Sequence, residues 1–283
     1  MESRRPYELD GSLVELIVPG REAVRLDGFW RHGLQRRRTL LLYVHGMGGD
    51  FHHSRLKKEL MSRCVAAGYD FLSFNNRGAR DGVATERFAD CVADLDAAIR
   101  FGRGKGYRRF VLLGHSTGAQ KIAWYQVRRR DPAVKAVVLI APGDDYAIVQ
   151  RNLGRSFRYW VRRAQELVRR GLGDERLPER CQRFSARRFL SIADPAQVEA
   201  RLFDYGGALR EFGRIRCPVL TLFGSAEEYA CIPVARMGAI LRAKSRAQPF
   251  DFVVIEDADH GFHGHERKTA GHILAWLCAT LGG

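Results

Sequence analysis

The sequence lacks the long apolar segments that would place the protein in a membrane. No stretch approaches the roughly 18 consecutive apolar residues of a membrane-spanning helix, and the first residues do not form the apolar run of a secretory signal. Internal repeats and low-complexity tracts are also missing from its 283 residues. With 46% hydrophobic and 28% charged residues, the composition is typical of a globular protein and argues against a disordered chain. We therefore expect a cytoplasmic protein without a membrane partner.

Cysteine is sparse, and no two cysteines form a Cys-x-x-Cys pair. A chain of this length buries enough apolar surface to fold without disulfide staples. Most of the six cysteines fall in apolar helix or strand patterns, which predicts buried free thiols at Cys64, Cys91, Cys181, Cys217, Cys231 and Cys278.

Lysine is scarce as well, because only seven of the 47 basic residues are lysines and 40 are arginines. The net charge of +15 could indicate a protein that binds nucleic acid, since phosphate contacts draw on basic side chains. The arginines are spread along the whole chain, however, and no nucleic-acid-binding motif accompanies them. We therefore expect no nucleic-acid partner and favour a basic surface that attracts anionic substrates.

Short apolar runs alternate with helical patterns along most of the chain. The runs have the character of buried strands and cover residues 40–44, 70–74, 110–113, 136–141, 219–223 and 252–255. Apolar residues between them recur at helical spacing, from Phe88 to Ile99 and from Ile273 to Leu281. Because strand–helix alternation builds parallel sheets, we predict an α/β fold with a mostly parallel, doubly wound sheet.

One long interval interrupts this alternation. Residues 144–214, here called the insertion, contain no strand-like run but include a helical stripe from Phe157 to Leu172. The stretch from Asp144 to Arg216 has 16 basic and 10 acidic residues and so carries a net charge of +6. We predict that residues 1–143 and 215–283 form the core and that the insertion is a helical cap over the carboxyl ends of the strands, where open α/β sheets bind ligands. The alternative is a solvated helical decoration.

The strongest chemical signal is the sequence Gly-His-Ser-Thr-Gly at residues 114–118. It follows the apolar run 110–113 and precedes a helical pattern, and a Gly-x-Ser-x-Gly in this context is the nucleophile elbow. The tight turn exposes the Ser116 hydroxyl, and the helix N-terminus directs its amides at developing negative charge. We predict that Ser116 is the nucleophile and that His115 packs under the turn. The alternative is a plain turn bracketed by glycines.

A glycine-rich loop, His-Gly-Met-Gly-Gly at residues 45–49, follows the first apolar run. Serine hydrolysis needs two backbone N–H donors around the oxyanion, and one of them usually comes from a glycine-rich loop at this place. We predict that the donors are the amides of Met47 and of Thr117, the residue after Ser116. The other interpretation, a plain turn at a strand end, is weaker because the loop coincides with an elbow.

The nucleophile needs a base, and His260 lies between the last apolar run and the final helical pattern. Of the nine histidines it is the one placed near the chain end at the carboxyl edge of the sheet, which matches the chain order serine, acid, histidine. His263, His265 and His272 follow it closely and raise the alternative of a metal site. Their spacing offers no obvious tetrahedral ligand set, so we predict His260 as the base and no metal.

The third member of the triad should be a carboxylate after the penultimate strand. Residues 224–229 read Gly-Ser-Ala-Glu-Glu-Tyr and offer Glu227 and Glu228. A carboxylate here would hold the imidazole in the correct tautomer and stabilise the imidazolium. We choose Glu227, and Glu228 stays open as the alternative. Asp257 and Asp259 adjoin the histidine in sequence, so we expect them to shape its loop.

Together, the elbow, the glycine-rich loop, the acid and the histidine resemble the α/β-hydrolase superfamily over essentially the whole chain. The resemblance implies the α/β-hydrolase fold and a serine hydrolase, and Asn-Asn-Arg-Gly at 75–78 resembles a turn that buttresses the oxyanion loop there. The elbow, the strings at 164–168, 173–174 and 177–178, and Glu-Glu-Tyr at 227–229 are similar to a poorly characterised subfamily that includes fungal esterases acting on hydroxamate siderophores. That subfamily commonly has aspartate as its acid, so the glutamate here is a departure.

These features predict a serine carboxylic-ester hydrolase that needs neither a metal nor an organic cofactor. Its partner would be a small-molecule ester, and we expect anionic esters to be favoured if the basic residues of the insertion line the entrance. The same triad serves amide, peptide and thioester hydrolysis, so these reactions remain alternatives. A non-catalytic binding protein of the same fold is a further alternative, although the intact serine, histidine and carboxylate speak against it.

Overall fold

The computed structural model describes residues 9–31 and 38–282 and contains one eight-stranded sheet. The strands are β1 Ser12–Val18, β2 Val24–Arg31, β3 Thr39–Val44, β4 Asp70–Phe74, β5 Arg109–His115, β6 Val134–Ile140, β7 Val219–Gly224 and β8 Phe250–Ile255. They lie in the order β1-β2-β4-β3-β5-β6-β7-β8; β2 is antiparallel to both neighbours, and the other five pairs are parallel. The predicted α/β fold with a mostly parallel sheet is confirmed.

The hairpin of β1 and β2 is not among the six runs that the sequence predicts as strands. Its side chains alternate, so that Leu16 and Val18 are buried while Leu13 is 77% exposed. An antiparallel edge pair with one wet face lacks the continuous apolar run of a strand that is buried on both faces. The six predicted runs correspond to β3 through β8.

Helices connect the strands of the sheet. Among the described residues the α-helices are α1 Arg55–Ala66, α2 Cys91–Gly104, α3 Thr117–Arg129, α4 Asp145–Leu153, α5 Phe157–Arg169, α6 Ala186–Ala193, α7 Val198–Leu202, α8 Val234–Lys244 and α9 Glu266–Leu281. Helix α1 packs against α9, and α2 packs against α3. No helix in this part of the chain is long and apolar enough to cross a membrane.

The cysteines follow the predicted pattern only in part. All six are free, but only Cys64, Cys91 and Cys181 are buried. Cys278 is exposed although it falls in the apolar pattern of α9, because the buried stripe of that helix runs through Ile273 and Leu277 instead. A stripe that is drawn from spacing alone is wider than the face that actually packs.

The insertion contains α4 to α7, and its apolar side chains divide between two clusters. Ala164, Leu167 and Phe189 belong to a small cluster formed mainly by α4, α5 and α6. Leu202, at the end of α7, instead joins the main core that packs on the sheet. The apolar stripe predicted from Phe157 to Leu172 extends past the end of α5. Leu172 lies beyond the helix and is 37% exposed.

A buried ion network connects the insertion to the core. Arg188 on α6 makes two hydrogen bonds to the Glu199 carboxylate on α7, at 2.5 and 2.9 Å. Lys121 on α3 pairs with Glu86 and donates to Asn76 Oδ1 at 2.8 Å, and Arg188 approaches Glu86 at 4.0 Å. Two cations and two carboxylates therefore balance each other where α3 meets the insertion.

Candidate active site

Ser116 is the single residue between the end of β5 and the start of α3. Its backbone has φ 56° and ψ −128°, which is a strained conformation for a residue with a side chain. The turn is held because the Ser116 N–H donates to Ile140 O, and Ser116 O accepts from Ala119 N, each at 2.8 Å. The sharp change of direction lets the serine side chain line a cavity at the carboxyl end of the sheet.

The two glycines of the motif are required by close packing around this turn. A Cβ on Gly118 would overlap the carbonyl oxygen of Val44 on β3, and a Cβ on Gly114 would overlap the carbonyl oxygen of Gly118. The backbones of α3, β3 and β5 therefore approach more closely than any side chain permits. The Gly-x-Ser-x-Gly pattern thus reports the geometry of the elbow directly.

The glycine-rich loop after β3 packs against the same turn. A Cβ on Gly46 would lie 2.9 Å from Ser116 Cβ and 3.1 Å from His115 O, so this position must also be glycine. The next residue, Met47, lines the cavity together with Thr117. Thr117 begins α3, so its amide has no acceptor within the helix and can serve an oxyanion.

His45 holds the glycine-rich loop from below and does not take part as a base. Its Nδ1–H donates to Gly46 O at 2.8 Å, and its Nε2 accepts from Asn76 N at 3.2 Å. Burial, together with the Lys121 charge, lowers the pKa of His45 to about 3. The ring is therefore a neutral connector between two loops.

The Asn-Asn-Arg-Gly turn after β4 supports the same loop from its other side. Asn75 Oδ1 accepts from Phe51 N at 3.0 Å, and Arg80 N donates to Gly49 O at 3.2 Å. Arg77 ties the turn to α2 through the Asp94 carboxylate, at 2.7 Å from Nε. The turn therefore lies where the resemblance to the superfamily implies that it should.

His260 lies in the loop after β8, with its ring against a carboxylate. Nδ1 is 2.8 and 2.9 Å from the two oxygens of Glu227, whose side chain is almost fully buried. Glu228 Oε2 instead accepts from the backbone N–H of His260 at 2.9 Å. The Tyr229 ring stands edge-on to the imidazole, with the centroids 4.8 Å apart. Of the two candidate acids, Glu227 is thus the one that contacts the imidazole.

His115 makes a contact that sequence reasoning did not find. Its Nε2–H donates to the backbone carbonyl of His260 at 2.8 Å, and the two rings lie 5.0 Å apart. Burial lowers the pKa of His115 to about 3, and the nearby His260 contributes in the same direction. The residue beside the serine therefore fixes the loop that carries His260, and no spacing rule reports a contact across 145 residues.

Ser116 and His260 line one cavity of about 750 Å³. Among the described residues no hydrogen bond joins the hydroxyl to the imidazole, whose Nε2 is left available because Nδ1 is bound to Glu227. Catalytic hydrogen bonds are often long in an empty site and tighten when substrate binds. The arrangement can therefore orient a base towards a serine.

The cavity lining is apolar in part and carries no basic side chain of the insertion. Ile148, Val149, Phe184 and Ile192 supply apolar surface. No lysine or arginine lines it among the described residues, whereas two carboxyl groups do, those of Asp50 and Asp145. The arginines of the insertion thus do not line the cavity itself.

The sequence of this chain also matches a known protein family over most of its length. Residues 41–271 match the sequence model of the alpha/beta hydrolase family. The chain belongs to the alpha/beta hydrolase family.

Solved structures of similar fold align with nearly the full length of this chain. Siderophore hydrolase EstB from Aspergillus fumigatus aligns with a TM-score of 0.71 at 19% identity, covering 96% of this chain and 98% of that one. Est1E from Butyrivibrio proteoclasticus, solved with ferulic acid bound, aligns with a TM-score of 0.70 at 13% identity, covering 95% and 100%. At these identities the similarity concerns the fold.

Two proteins with related sequences match this chain over shorter stretches. Epoxide hydrolase 3 of Xenopus tropicalis is 32% identical over 113 residues, which is 38% of this chain and 29% of that protein. A UPF0613 protein of Schizosaccharomyces pombe is 26% identical over 151 residues, which is 50% of this chain and 47% of that one. The chain thus matches less than half the length of either relative.

The histidines that raised the alternative of a metal site do not gather around one point. His263 pairs with Asp259 at 2.7 Å, which fixes the loop as expected for that aspartate. Within residues 9–31 and 38–282, the group with metal-ligand geometry is Asp50, His52 and His53. Asp50 already accepts the His52 and His53 N–H groups at 2.9 Å, together with the His53 ring. This carboxylate is thus engaged in shaping its own turn.

Proposed function

We propose that this alpha/beta hydrolase is a serine carboxylic-ester hydrolase with Ser116 as nucleophile, His260 as base and Glu227 as acid. The observation that carries the proposal is the buried Glu227 carboxylate on Nδ1 of an imidazole that shares a cavity with a serine in the elbow conformation. Such a carboxylate selects the tautomer whose Nε2 can accept a proton. The partner is a small-molecule ester.

The reaction would proceed in two halves. His260 Nε2 takes the proton of the Ser116 hydroxyl as its oxygen attacks the ester carbonyl, and the amides of Met47 and Thr117 stabilise the oxyanion. The imidazolium then protonates the departing alcohol and leaves an acyl-enzyme. Water repeats the sequence and releases the acid, which restores the serine. Each oxyanion donor typically contributes about 3–4 kcal/mol to the lowering of the barrier.

The structural neighbours include proteins named as esterases, which favours an ester over other acyl substrates. Est1E and EstB share the fold along nearly their whole length, and EstB is described as a siderophore hydrolase. The triad alone does not separate esters from amides or thioesters. Matched ester, thioester and amide substrates therefore belong in the same assay.

The test is an ester panel on the wild type and on Ser116→Ala. We expect ester hydrolysis by the wild type and a fall in kcat of at least about 10³-fold in the variant, since the triad acts as a unit. A fluorophosphonate should label the wild type and leave Ser116→Ala unlabelled. Folded wild-type protein that neither reacts with the probe nor hydrolyses any substrate would favour the binding-protein alternative.

A further inference from the structure

We propose that Asp145 selects the substrate by pairing with an alkylammonium group on the ester. The inference rests on the proposed function, because it assigns the substrate class of the same cavity. Asp145 is the first residue of α4 and lines the cavity that Ser116 and His260 share. Its Oδ2 is buried and has no hydrogen-bond partner among the described residues. A carboxyl group with a buried, unpartnered oxygen therefore stands in the wall of the chamber where the ester would react.

The other nearby carboxyl groups do not have this freedom. Asp50, also in the lining, accepts two backbone N–H groups and contacts His53 and Arg80. Asp144, directly before Asp145, accepts from Ala147 N at 2.9 Å and from Tyr205 N at 3.1 Å. Both carboxyl groups are engaged in holding backbone turns. Asp145 is thus the lining carboxyl group that a ligand can satisfy.

The neighbouring ion pairs indicate which kind of ligand Asp145 would bind. Arg188 on α6 is paired to Glu199 on α7, and Lys121 on α3 to Glu86, so this network is balanced without Asp145. Ionised Asp145 would add a negative charge that the Arg188 charge influences but that forms no ion pair among the described residues. A buried carboxylate without a partner is costly, and a cation in the cavity removes that cost.

The titration of Asp145 agrees with this picture. Burial and the Glu199 charge raise its pKa to about 7, and Asp144 adds to the rise, while Gln120 and Arg188 act in the opposite direction. Asp145 would therefore be ionised at pH 8 and largely protonated at pH 6. Since an alkylammonium group keeps its proton throughout this range, the attraction should strengthen as the pH rises.

The remaining lining suits a cation on a short hydrocarbon chain. No lysine or arginine of the described residues faces the cavity to repel it. Ile148, Val149 and Ile192 offer apolar surface for methylene groups, and Tyr229 also lines the cavity. Aromatic faces attract ammonium groups as well. The class of substrate that we infer is an ester bearing an amine a few carbons from the reacting carbonyl.

The experiment compares 4-nitrophenyl esters of an ω-amino acid and of the uncharged fatty acid of equal length. We expect the wild type to prefer the ammonium ester about tenfold in kcat/KM at pH 8, the scale of a charge-assisted hydrogen bond, and to lose the preference by pH 6. Asp145→Asn should abolish the preference, read as the ratio of the two kcat/KM values in the same protein, so that an equal effect on both esters does not enter the comparison. The matched control, Asp174→Asn at an exposed position of the insertion, should behave as the wild type.

The outcomes separate this inference from the proposed function. Hydrolysis of both esters at equal rates, or a preference that survives in Asp145→Asn, would overturn the role of Asp145 and leave the serine hydrolase standing. If no ester is hydrolysed, calorimetry with n-hexylammonium at pH 8 still decides. We expect a Kd about tenfold weaker for Asp145→Asn than for the wild type and Asp174→Asn; equal Kd values in all three proteins would reject the inference.

Discussion

Three histidines near Ser116 differ in what their ring nitrogens contact. His45 is neutral and bridges two loops, with Asn76 N donating to its Nε2. His115 is neutral and donates from Nε2 to the His260 carbonyl. His260 has a carboxylate on Nδ1 and an open Nε2. At the scale of single residues, therefore, the partner of the ring decides whether a histidine supports the fold or can act as a base.

The two adjacent glutamates provide a test at this scale. We expect Glu227→Gln to lower kcat by about 10³- to 10⁴-fold, because the neutral amide no longer selects the tautomer or stabilises the imidazolium. Glu228→Gln keeps an oxygen that can accept from the His260 N–H, so we expect a loss of less than about tenfold. Steady-state kinetics on one ester measures both. Equal losses in the two variants would contradict the assignment of Glu227.

The connections between elements are determined by close backbone approach. Helix α3 begins against β3, and the loop after β3 lies on the elbow, so both contacts need residues without a side chain. These sites carry the motif glycines, whereas some other glycines lie in open surroundings. Gly271 in α9, for example, has no atom within 4 Å of the place where a Cβ would stand.

Gly118 and Gly271 therefore form a matched pair. We expect Gly118→Ala to lower the free energy of unfolding by about 1–3 kcal/mol and to reduce activity, because the new methyl group must push α3 away from β3. Gly271→Ala should raise the free energy of unfolding by about 0.5–1 kcal/mol through helix propensity. Urea denaturation measures both. An unchanged or increased stability of Gly118→Ala would show that the elbow tolerates expansion.

The ion network is a second property of elements, since it joins α3, α6 and α7. Arg188→Met leaves the Glu199 carboxylate buried with only the Ser191 hydroxyl, at 2.5 Å, still donating. We expect a loss of about 3–5 kcal/mol in the free energy of unfolding. Arg188→Met with Glu199→Leu should recover most of it, because no charge is then left unpaired. Denaturant unfolding of the three proteins tests this, and a double variant as unstable as the single one would refute it.

At the scale of the whole molecule, the buried neutral histidines couple stability to pH. The pKa values of His45 and His115 are lowered to about 3 in the folded protein. In the unfolded chain these two histidines take up protons near pH 6.5, whereas in the folded protein they stay neutral at that pH. The stabilisation from each histidine is therefore fully present above pH 6.5 and is lost as the pH falls from there towards 3.

The size of this effect can be measured with one variant. Between pH 8 and pH 5, each of the two histidines should cost about 2 kcal/mol of unfolding free energy. His45→Gln should remove about that much of the pH dependence, since glutamine does not titrate. Urea denaturation of both proteins at the two pH values gives the comparison. Asp144 and Asp145, whose pKa values are raised, change stability with pH in the opposite direction, but they do so equally in the variant and the wild type. An equal loss in variant and wild type would mean that His45 takes up a proton in the folded protein as readily as in the unfolded chain.

Several features of this protein are local, and the sequence by itself determined them. The elbow glycines report a turn of five residues, and the runs that became β3 to β7 are apolar because both of their faces are largely buried. The hairpin of β1 and β2 was not predicted, because only one of its faces is buried and its sequence therefore contains no continuous apolar run.

Only the tertiary structure decided which groups meet. Glu227 and Glu228 are neighbours in the sequence with identical chemistry, yet one contacts the imidazole of His260 and the other its backbone. The contact of His115 with the His260 loop and the place of Asp145 in the cavity wall likewise depend on the direction of side chains across distant segments. Local patterns record the burial and the turns of nearby residues, whereas contacts between distant residues depend on the packing of the whole chain.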